Sequence, residues 1–312
     1  MSTIKYECTY QAIEAGDFEQ LKAMLADGYP LNNRIGGNAG SGGNVEILEF
    51  LHNYEGGSRL DDSTFLEAVA NNHFAAVDWC LKNNFEWPEK TLSYCIEHSG
   101  SLETVKYIIS KGCPIETEAA AVAAKFGRLP VLKWLHRTHN LPLSGVLEVQ
   151  RKDYADFCDE NNRFVFNAAS IAAVGGNMKS LKYAYENGCQ VFEPSTTFHV
   201  SCELAQTDSN WQKNQIFKTL KFAIDRGCPI DPETTYNAIA NNNLRLLKFL
   251  YSKGQLKLDE ETVQIAYEIE DPKVIEFLEF VKVDTKNKMK LLTSSVENNI
   301  SNNIINFVAD KF

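Results

Sequence analysis

Residues 117–145 read TEAAAVAAKFGRLPVLKWLHRTHNLPLSG, and this stretch contains one complete copy of the unit from which the chain is built. Its alanine-rich first part predicts a helix, and Gly127 interrupts that helix with a turn. Beyond the turn, Val131, Leu132 and Leu135 are three and four residues apart, which is the spacing of one helix face. One unit is therefore predicted to be helix, tight turn, helix and loop.

The second helix carries a signature that recurs along the chain: apolar, charged, aromatic, apolar. We call its first residue the anchor. The anchors are Leu21, Leu48, Val77, Val105, Leu132, Leu181, Leu220, Leu247, Ile275 and Ile305. They are separated by 27 to 30 residues, except for one interval of 49 and one of 39. Such a period indicates stacked repeats that bury their apolar faces against their neighbours.

Other residue types recur in phase with the anchor. Five residues before it stand Gly16, Gly43, Asn72, Gly100, Gly127, Gly176 and Asn242. Seven residues after it stand Gly28, Asn84, Gly112, Gly188, Gly227 and Gly254. Nine residues before it stand Ala12, Ala39, Ala68, Ala123, Ala172, Ala238 and Ala266. Glycine and asparagine accept the positive φ of helix ends, and alanine lets two helices approach closely.

Three further columns are interpreted from their chemistry. The residues two after the anchor are aromatic in nine of ten copies, and we expect them to be core. Cys113, Cys189 and Cys228 share one repeat position, which favours a packing role over disulfides. A lysine column follows the anchor directly, and we expect it to be a solvated face: Lys22, Lys106, Lys133, Lys182, Lys221 and Lys248.

Segments such as VKYIISKGCPIETE (105–118) and LKFAIDRGCPIDPE (220–233) resemble ankyrin repeats of the short, divergent type abundant in giant DNA viruses and protists. Two departures stand out: the T-P-L-H helix start is absent, and the period is about 28 rather than 33 residues. The resemblance implies an all-α, ankyrin-like solenoid of about ten repeats with short or reduced loops between them. It also implies that first helices and loops line a concave side.

We expect this solenoid to be a single domain over residues 1–312. Residues 1–33 would form the first repeat and N-terminal cap. The last segment, 286–312, is rich in asparagine and serine and would be a degenerate C-terminal capping repeat, because a terminal repeat faces water.

The 49-residue interval predicts an inserted loop at 141–166. A tolerated surface loop is one interpretation, since long insertions cost little entropy. The alternative is a partner contact, because loops on a rigid scaffold often carry recognition. The candidate contact residues of this loop are Asp153, Tyr154, Asp156 and Phe157.

The 39-residue interval predicts a second inserted loop at 206–215. It contains Trp211, which would be either an exposed anchor for a partner or a lid on its own repeat. A third irregularity is IGGNAGSGG at 35–43, where a first helix belongs. No Lys-Ser/Thr pair follows, so it is not a phosphate-binding loop. Its four internal glycines predict irregular backbone and a weak point in the stack.

Composition limits the classes of partner. The net charge of −10 argues against nucleic acid, which requires a basic footprint. No apolar run is long enough for a membrane span, and no secretory signal is visible at the start. The eight cysteines are expected to be reduced thiols. We therefore expect a cytoplasmic protein, in the host cytosol if the chain is viral, with the nucleus as the alternative.

Acidic residues gather at the predicted loops and helix starts. Helix-dipole compensation accounts for much of this pattern, but it also leaves an acidic edge that would steer a partner with a basic patch. The candidate partner-binding residues at this edge are Asp61, Glu116, Glu118, Asp231 and Glu233.

No catalytic, cofactor-binding or metal-binding motif is present in the sequence. His136 and His139 have the spacing H-x-x-H, and Cys113 could lie near them, but a zinc site needs three or four ligands and no CxxC or HExxH exists. No Ser/His/Asp set, nucleophile elbow or dinucleotide fingerprint exists either. We therefore expect no enzyme, no cofactor and no metal.

These patterns together predict a monomeric, non-catalytic scaffold that binds proteins through its concave face and loop edge. The resemblance to giant-virus repeats suggests a viral product that engages host proteins. The alternative is a structural or self-assembling component of a larger complex or virion. Light scattering separates the two, since only the second should self-associate.

Overall fold

A computed structural model describes residues 5–31, 34–54, 60–148, 163–190, 192 and 195–287. The predicted contact residues Asp153, Tyr154, Asp156 and Phe157 lie outside the described residues. So does residue range 288–312, which is nearly all of the predicted C-terminal cap.

The described residues form eighteen helices, which alternate along the chain as the first and second helices of nine repeats. The first helices of the pairs are α1 (Thr9–Glu14), α3 (Ile35–Gly42), α5 (Asp62–Ala70), α7 (Thr91–His98), α9 (Ala119–Lys125), α11 (Ala168–Val174), α13 (Thr196–Gln206), α15 (Glu233–Ala240) and α17 (Glu260–Ile269). The second helices are α2 (Phe18–Ala26), α4 (Val45–His52), α6 (Phe74–Lys82), α8 (Leu102–Ser110), α10 (Leu129–Thr138), α12 (Met178–Glu186), α14 (Asn210–Ile224), α16 (Leu244–Ser252) and α18 (272–287). The predicted helix–turn–helix repeat is confirmed.

The described residues divide into two compact units. One contains residues up to Glu193 together with Trp211–Gly227, and the other contains Pro194–Asn210 and the residues from Cys228 onward. In the first unit, α1, α3, α5, α7, α9 and α11 pack in sequence order, and α8, α10 and α12 pack beside them. In the second unit, α13, α15 and α17 pack in the same order. The division falls within the 39-residue interval between the anchors Leu181 and Leu220.

The residue columns read from the sequence have the predicted structural roles. Eight anchors, from Leu21 to Leu247, are fully buried. The alanine column is buried throughout its seven members. All thirteen glycine and asparagine positions have positive φ. The anchor and alanine columns therefore form the core of the repeat, and the two glycine and asparagine columns form its turns.

Gly100 shows why the turn before the second helix is so uniform. Its φ is +61°, and a Cβ built on it would lie 2.2 Å from Nε of Arg128, a residue of the next repeat. Arg128 donates hydrogen bonds from Nε to the Ile96 carbonyl at 3.2 Å and from Nη2 to the Glu97 carbonyl at 2.8 Å. The glycine is thus required both by its backbone conformation and by the neighbouring repeat.

Equivalent bonds join other neighbouring repeats of the first unit. Asn44 Nδ2 donates to the Gly16 carbonyl at 2.8 Å, and Nε2 of His73 lies 2.7 Å from the Ser41 carbonyl. Each satisfies a carbonyl near the C-terminal end of the preceding first helix, which would otherwise lack an intrahelical partner.

The prediction of irregular backbone at 35–43 is wrong, because residues Ile35–Gly42 form helix α3. A Cβ on Gly40 would lie 2.2 Å from the Thr64 carbonyl oxygen in α5, and one on Gly42 would lie 2.2 Å from the Ile13 carbonyl oxygen in α1. The glycines therefore let α3 approach both neighbours more closely than any larger residue would. Packing outweighs the low helix propensity of glycine here.

The prediction of an inserted loop at 206–215 is also wrong. The extra residues lengthen the helices instead: α13 has 11 residues and α14 has 15, separated by only three residues. The segment from Asn210 to Ile224 contains no proline or glycine. Its Ile216, Leu220 and Ala223 are buried at helical spacing, so the segment has a helix face to pack.

The insertion at 141–166 departs from the all-α prediction at its described ends. Strand β1 (Ser144–Glu148) pairs antiparallel with β2 (Arg163–Asn167), with Ser144 opposite Asn167 and Glu148 opposite Arg163. Asn167 also caps α11, because its side chain accepts hydrogen bonds from the backbone N–H groups of the second and third following residues. The insertion therefore begins and ends as a hairpin rather than as an irregular loop.

The aromatic column is core only in part. Among the described members, Trp79, Tyr183 and Phe277 are buried, whereas Phe50, Tyr107, Trp134, Phe222 and Phe249 are half-buried. The prediction that the column is core therefore holds for three of its eight described aromatic members and not for the other five. The column contributes a partly exposed aromatic surface on the second-helix side.

Candidate functional site

Polar and aromatic side chains form a surface across the first helices α1, α3, α5 and α7 of the first unit. We call the surface formed by Tyr10, Glu14, Asn38, Glu67 and Tyr94 the first-helix face. Tyr10 and Glu14 are four residues apart on α1 and therefore share a face of that helix. Asn38 Nδ2 donates a hydrogen bond to Oε1 of Glu14 at 2.5 Å, which links α3 to α1.

Glu67 is the centre of this face. Tyr94 OH donates to its Oε1 at 2.6 Å from α7, and Ser41 Oγ donates to its Oε2 at 3.1 Å from α3. One carboxylate thus joins three consecutive repeats. The Tyr94 ring also stacks on His98 with centroids 4.0 Å apart. Because charge-assisted hydrogen bonds are strong and directional, these side chains are held in fixed positions.

The ionisation of Tyr94 fits this donor role. Burial and the neighbouring Glu67 carboxylate raise the pKa of Tyr94 to about 12. The phenol is therefore neutral at physiological pH and is not a candidate base for catalysis.

Three tyrosines occupy one repeat position that the sequence analysis missed. Tyr10, Tyr94 and Tyr236 each stand eleven residues before an anchor, on the first helix. Tyr10 is 37% exposed and Tyr236 is 38% exposed. The signal was available in the sequence, since a column in phase with the anchor needs only to be counted. Tyrosine on an exposed, rigid position is a frequent contributor to protein interfaces.

Two of the predicted loop-edge acids cap helices of their own repeats. Asp61 precedes α5 and accepts a hydrogen bond from the Ser63 N–H at 3.0 Å, forming a capping box with Thr64. Asp231 accepts from the Glu233 N–H at 2.9 Å at the start of α15. Both carboxylates therefore have a structural role, as the helix-dipole argument expects.

Glu116 caps a helix of the preceding repeat. It accepts from the N–H groups of Leu92 at 3.0 Å and Ser93 at 3.1 Å, at the N-terminus of α7. The N-cap of that helix, Lys90, has φ +60° and provides no side-chain cap. Burial raises the pKa of the Glu116 carboxyl, although the bonds from Ser93 and Leu92 oppose that shift. Glu116 therefore serves stability first.

Among the loop-edge acids, the side chains of Glu118 and Glu233 make the fewest hydrogen bonds that support a helix. Glu118 accepts a 3.4 Å hydrogen bond from Thr117 Oγ1, and Glu233 is exposed in the first turn of α15. Within the first unit, Glu116 and Glu118 belong to one repeat junction, between α8 and α9, and Asp61 belongs to another, before α5. The acids are therefore distributed along the edge rather than gathered at one point.

Trp211 lies in the first turn of α14 and is 72% exposed. The interpretation as a lid on its own repeat is therefore wrong. The interpretation as an exposed anchor for a partner stays a prediction, since exposure of a large ring is necessary for such a role but does not establish it.

A shallow groove of about 1040 Å³ lies over the second helices α2, α4 and α6. Phe18 and Phe50 meet edge-on in it at 5.3 Å between centroids, and Tyr54 lies 5.3 Å beyond Phe50. Trp79 Nε1 donates to Oε2 of Glu49 at 2.7 Å. This bond lowers the pKa of Glu49, so the carboxylate is the favoured form in the groove.

The cysteines and histidines singled out in the sequence have packing partners. Cys113, Cys189 and Cys228 are buried, which confirms their packing role. Burial raises the pKa of Cys113 and of Cys228 to about 12, so both are neutral thiols. Nδ1 of His136 lies 2.9 Å from Tyr183 OH, and His139 packs edge-on against Trp134 at 4.5 Å.

Two features are absent from the described residues: a group of metal ligands and a helix that could cross a membrane. These residues contain no group of three or more histidine, cysteine, aspartate and glutamate side chains placed to hold a metal ion. Within the same ranges, no helix has the length and apolar character needed to cross a membrane.

Comparisons with known proteins find a likeness in structure but none in sequence. No protein-family model matches the chain. No curated protein matches it either. Among solved structures, the chain is similar to the ankyrin repeat domain of human ASB11, at 15% identity and a TM-score of 0.33, over 71% of this chain and 84% of that one.

The class of the protein follows from its own helix pairs. Paired helices packed in sequence order, left-handed residues at both ends of the second helix and a period of about 28 residues give the described part an ankyrin-like fold. The predicted fold class is confirmed in this sense, with the β1–β2 hairpin as an addition.

Proposed function

We propose that this chain is a non-catalytic scaffold that binds partner proteins through the first-helix face and the adjoining loop edge. The observation that carries the proposal is the Tyr94–Glu67–Ser41 set of hydrogen bonds, which fixes aromatic and acidic groups across three repeats. A rigid surface loses little conformational entropy when a partner binds. Tyrosine supplies contact area, and the carboxylates favour a partner with a basic patch.

The setting of this interaction is part of the proposal. A cytoplasmic location, with the nucleus as the alternative, agrees with reduced, buried cysteines. The resemblance to giant-virus repeats supports a host protein as the partner if the chain is viral. We propose a soluble monomer rather than a self-assembling component.

A pair of matched charge reversals tests the proposed surface. Glu14→Lys with Glu97→Lys alters two exposed positions on α1 and α7 at the first-helix face. Glu46→Lys with Glu103→Lys makes the same change of charge at exposed positions on second helices α4 and α8. Wild type and both variants are used as baits for quantitative affinity purification, after circular dichroism has shown that each is folded.

The proposal predicts that specific partners are depleted with the first-helix variant and retained with the second-helix variant. Retention by both variants, or loss with the second-helix variant alone, would contradict it. Light scattering of the wild-type protein should give the monomer mass. A larger assembly that persists on dilution would favour the structural alternative instead.

The 141–166 insertion is proposed as a second contact with the partner, through Asp153, Tyr154, Asp156 and Phe157. Replacing 149–162 by a short Gly-Ser linker keeps both strands of the hairpin. If these residues contact the partner, affinity falls while the melting temperature is unchanged. Equal affinity of both proteins would show that the insertion is only a tolerated surface segment.

A further inference from the structure

Positive charge is concentrated on one part of the second-helix side. Helices α10, α12 and α14 of the first unit carry seven lysines and arginines and a single carboxylate, Glu186. In contrast, α2, α4 and α6 carry four carboxylates and two lysines. On a chain of net charge −10, this basic region creates a local positive field that would attract acidic groups.

Five lysines form the centre of this region, and we call them the basic stripe: Lys133, Lys179, Lys182, Lys218 and Lys221. Lys133, Lys182 and Lys221 directly follow their anchors and occupy the same position in consecutive repeats. Lys179 and Lys218 each lie three residues earlier, on the same helix face. All except Lys133 are exposed, and none forms an ion pair with another described residue.

Aromatic rings fill the space between these cations. The Lys133 Nζ lies 5.5 Å from the Tyr183 ring, which connects α10 to α12. The rings of Tyr185 and Phe222 meet edge-on at 5.9 Å and connect α12 to α14. Tyr185 and Phe222 are both half-buried. The Arg226 guanidinium lies 3.5 Å from the centre of the Phe222 ring and 5.5 Å from that of Tyr185, so it adds a cation beside the apolar surface that stays accessible. The stripe is therefore continuous across three repeats and is both cationic and aromatic.

We propose that the basic stripe binds an extended, acidic segment of a partner protein. Packed helices lie about 10 Å apart, and an extended chain in the polyproline II conformation has three residues per turn and advances about 3.1 Å per residue, so that every third side chain lies on one face. A carboxylate at every third residue would therefore meet one repeat of the stripe after another, with apolar residues between them against the rings. This surface and this partner chemistry are different from those of the first-helix face.

Charge complementarity favours a protein segment over nucleic acid. The rest of the chain is strongly acidic, and a long polyanion would extend beyond the stripe into that repulsive field. A short segment can be confined to three repeats. Its apolar side chains also gain contact with Tyr185 and Phe222, which a phosphate backbone cannot use.

The test uses a fluorescent synthetic peptide with glutamate at every third position and leucine or serine between. A matched peptide has glutamine in place of glutamate. Fluorescence anisotropy with the full-length protein should show saturable binding of the first peptide, weakened by salt, and much weaker binding of the second. Equal binding of both peptides, or of neither, would overturn the proposal.

Two triple variants locate the site. Lys179→Glu, Lys182→Glu and Lys221→Glu should weaken binding by at least about tenfold, since like charges then face each other. Lys82→Glu, Lys257→Glu and Lys286→Glu change the net charge equally at exposed positions elsewhere and should leave binding within about twofold.

Two outcomes of this comparison would overturn the proposal: equal weakening in both triple variants, or tighter stripe-dependent binding of a single-stranded oligonucleotide than of the peptide. Circular dichroism melting of each variant establishes that a loss of binding is not a loss of folding.

Discussion

At the scale of the residue, two physical effects require glycine at the turns. The first is positive φ, which the recurrence of glycine and asparagine in the sequence already indicates. The second is the side chain of the next repeat, as at Gly100, where Arg128 occupies the space of a Cβ. Where asparagine replaces glycine, at Asn72, the next repeat has the small Ser101 in the position of Arg128. Only the structure shows that the two columns depend on each other.

Alanine substitutions separate the effect of positive φ from that of the neighbouring side chain. Gly28→Ala, at φ +84° with no atom within 4 Å of its Cβ, should cost about 1–2 kcal/mol from conformation alone. Gly100→Ala should cost about 1–2 kcal/mol more, because Arg128 must also move and leave two carbonyls without their donor. Urea unfolding gives both values. In an Arg128→Ala background the excess should disappear, and equal costs in the wild-type background would contradict the account.

Glu116 is expected to affect stability rather than binding. Glu116→Ala removes the acceptor of two N–H groups at the start of α7 and should lower the free energy of unfolding by about 1–2 kcal/mol. Glu118→Ala, two residues further on, should change it by less than about 0.5 kcal/mol. Chemical denaturation of both proteins makes the comparison. A neutral effect at Glu116 would return it to the set of candidate partner contacts.

At the scale of the element, α3 tests packing against propensity. In an unpacked helix, glycine to alanine stabilises by about 1 kcal/mol. Gly37→Ala should follow this rule or be neutral, since its Cβ would make ordinary contacts at 3.6 Å. Gly40→Ala should instead destabilise by about 1–3 kcal/mol, because its Cβ would meet the Thr64 carbonyl at 2.2 Å. Thermal unfolding of the two variants tests this difference. A stabilised Gly40→Ala variant would mean that α3 is not packed against α5.

The elements also show where sequence reasoning succeeds. The repeat period located the second helices because their apolar residues pack against neighbouring repeats and therefore recur at the same position in each copy. It failed at α3, where composition suggested a loop, and at 206–215, where a longer interval suggested one. In both places the deciding quantity was contact with adjacent helices, through Gly40 in one case and Ile216 and Leu220 in the other. Propensity and spacing contain no information about those contacts.

At the scale of the whole molecule, paired carboxylates set the response to acid. The pKa of Asp78 is lowered by its hydrogen bond from Lys111, and the pKa of Asp259 is lowered by bonds from Thr262. A lowered native pKa adds stability above the unfolded value, near 4, and that stability is lost as pH falls through the native pKa. The free energy of unfolding should therefore decrease below about pH 4.

Asp78→Asn provides the control for this acid response. It removes one titrating group, so the unfolding free energy of the variant should depend less steeply on pH in the acid range. The raised pKa of Glu116 acts in the opposite sense, because protonation relieves its burial at a higher pH. If the unfolding free energies of wild type and Asp78→Asn changed equally with pH, the assignment to Asp78 would be contradicted.

The candidate surfaces were less predictable than the fold. The loop-edge acids lie near the predicted helix starts in the sequence, but the hydrogen bonds of Asp61, Asp231 and Glu116 to helix N-termini could not be derived from it. The Glu67–Tyr94 bond joins residues 27 positions apart on neighbouring repeats, and no motif records it. The lysine column was visible in the sequence, whereas the concentration of basic residues on α10, α12 and α14 could be seen only after each residue had been assigned to a helix. Side-chain geometry between repeats is therefore what the sequence alone lacks.

The central claim is that the first helices of each unit, including the glycine-rich α3 of the first unit, pack against the first helices next to them. Amide hydrogen exchange measured by mass spectrometry tests it most directly, with peptides that cover α3 and the alanine-rich α9. The account predicts protection of the two helices within about tenfold of each other. Exchange of α3 at the rate of an unstructured peptide, beside a protected α9, would contradict it.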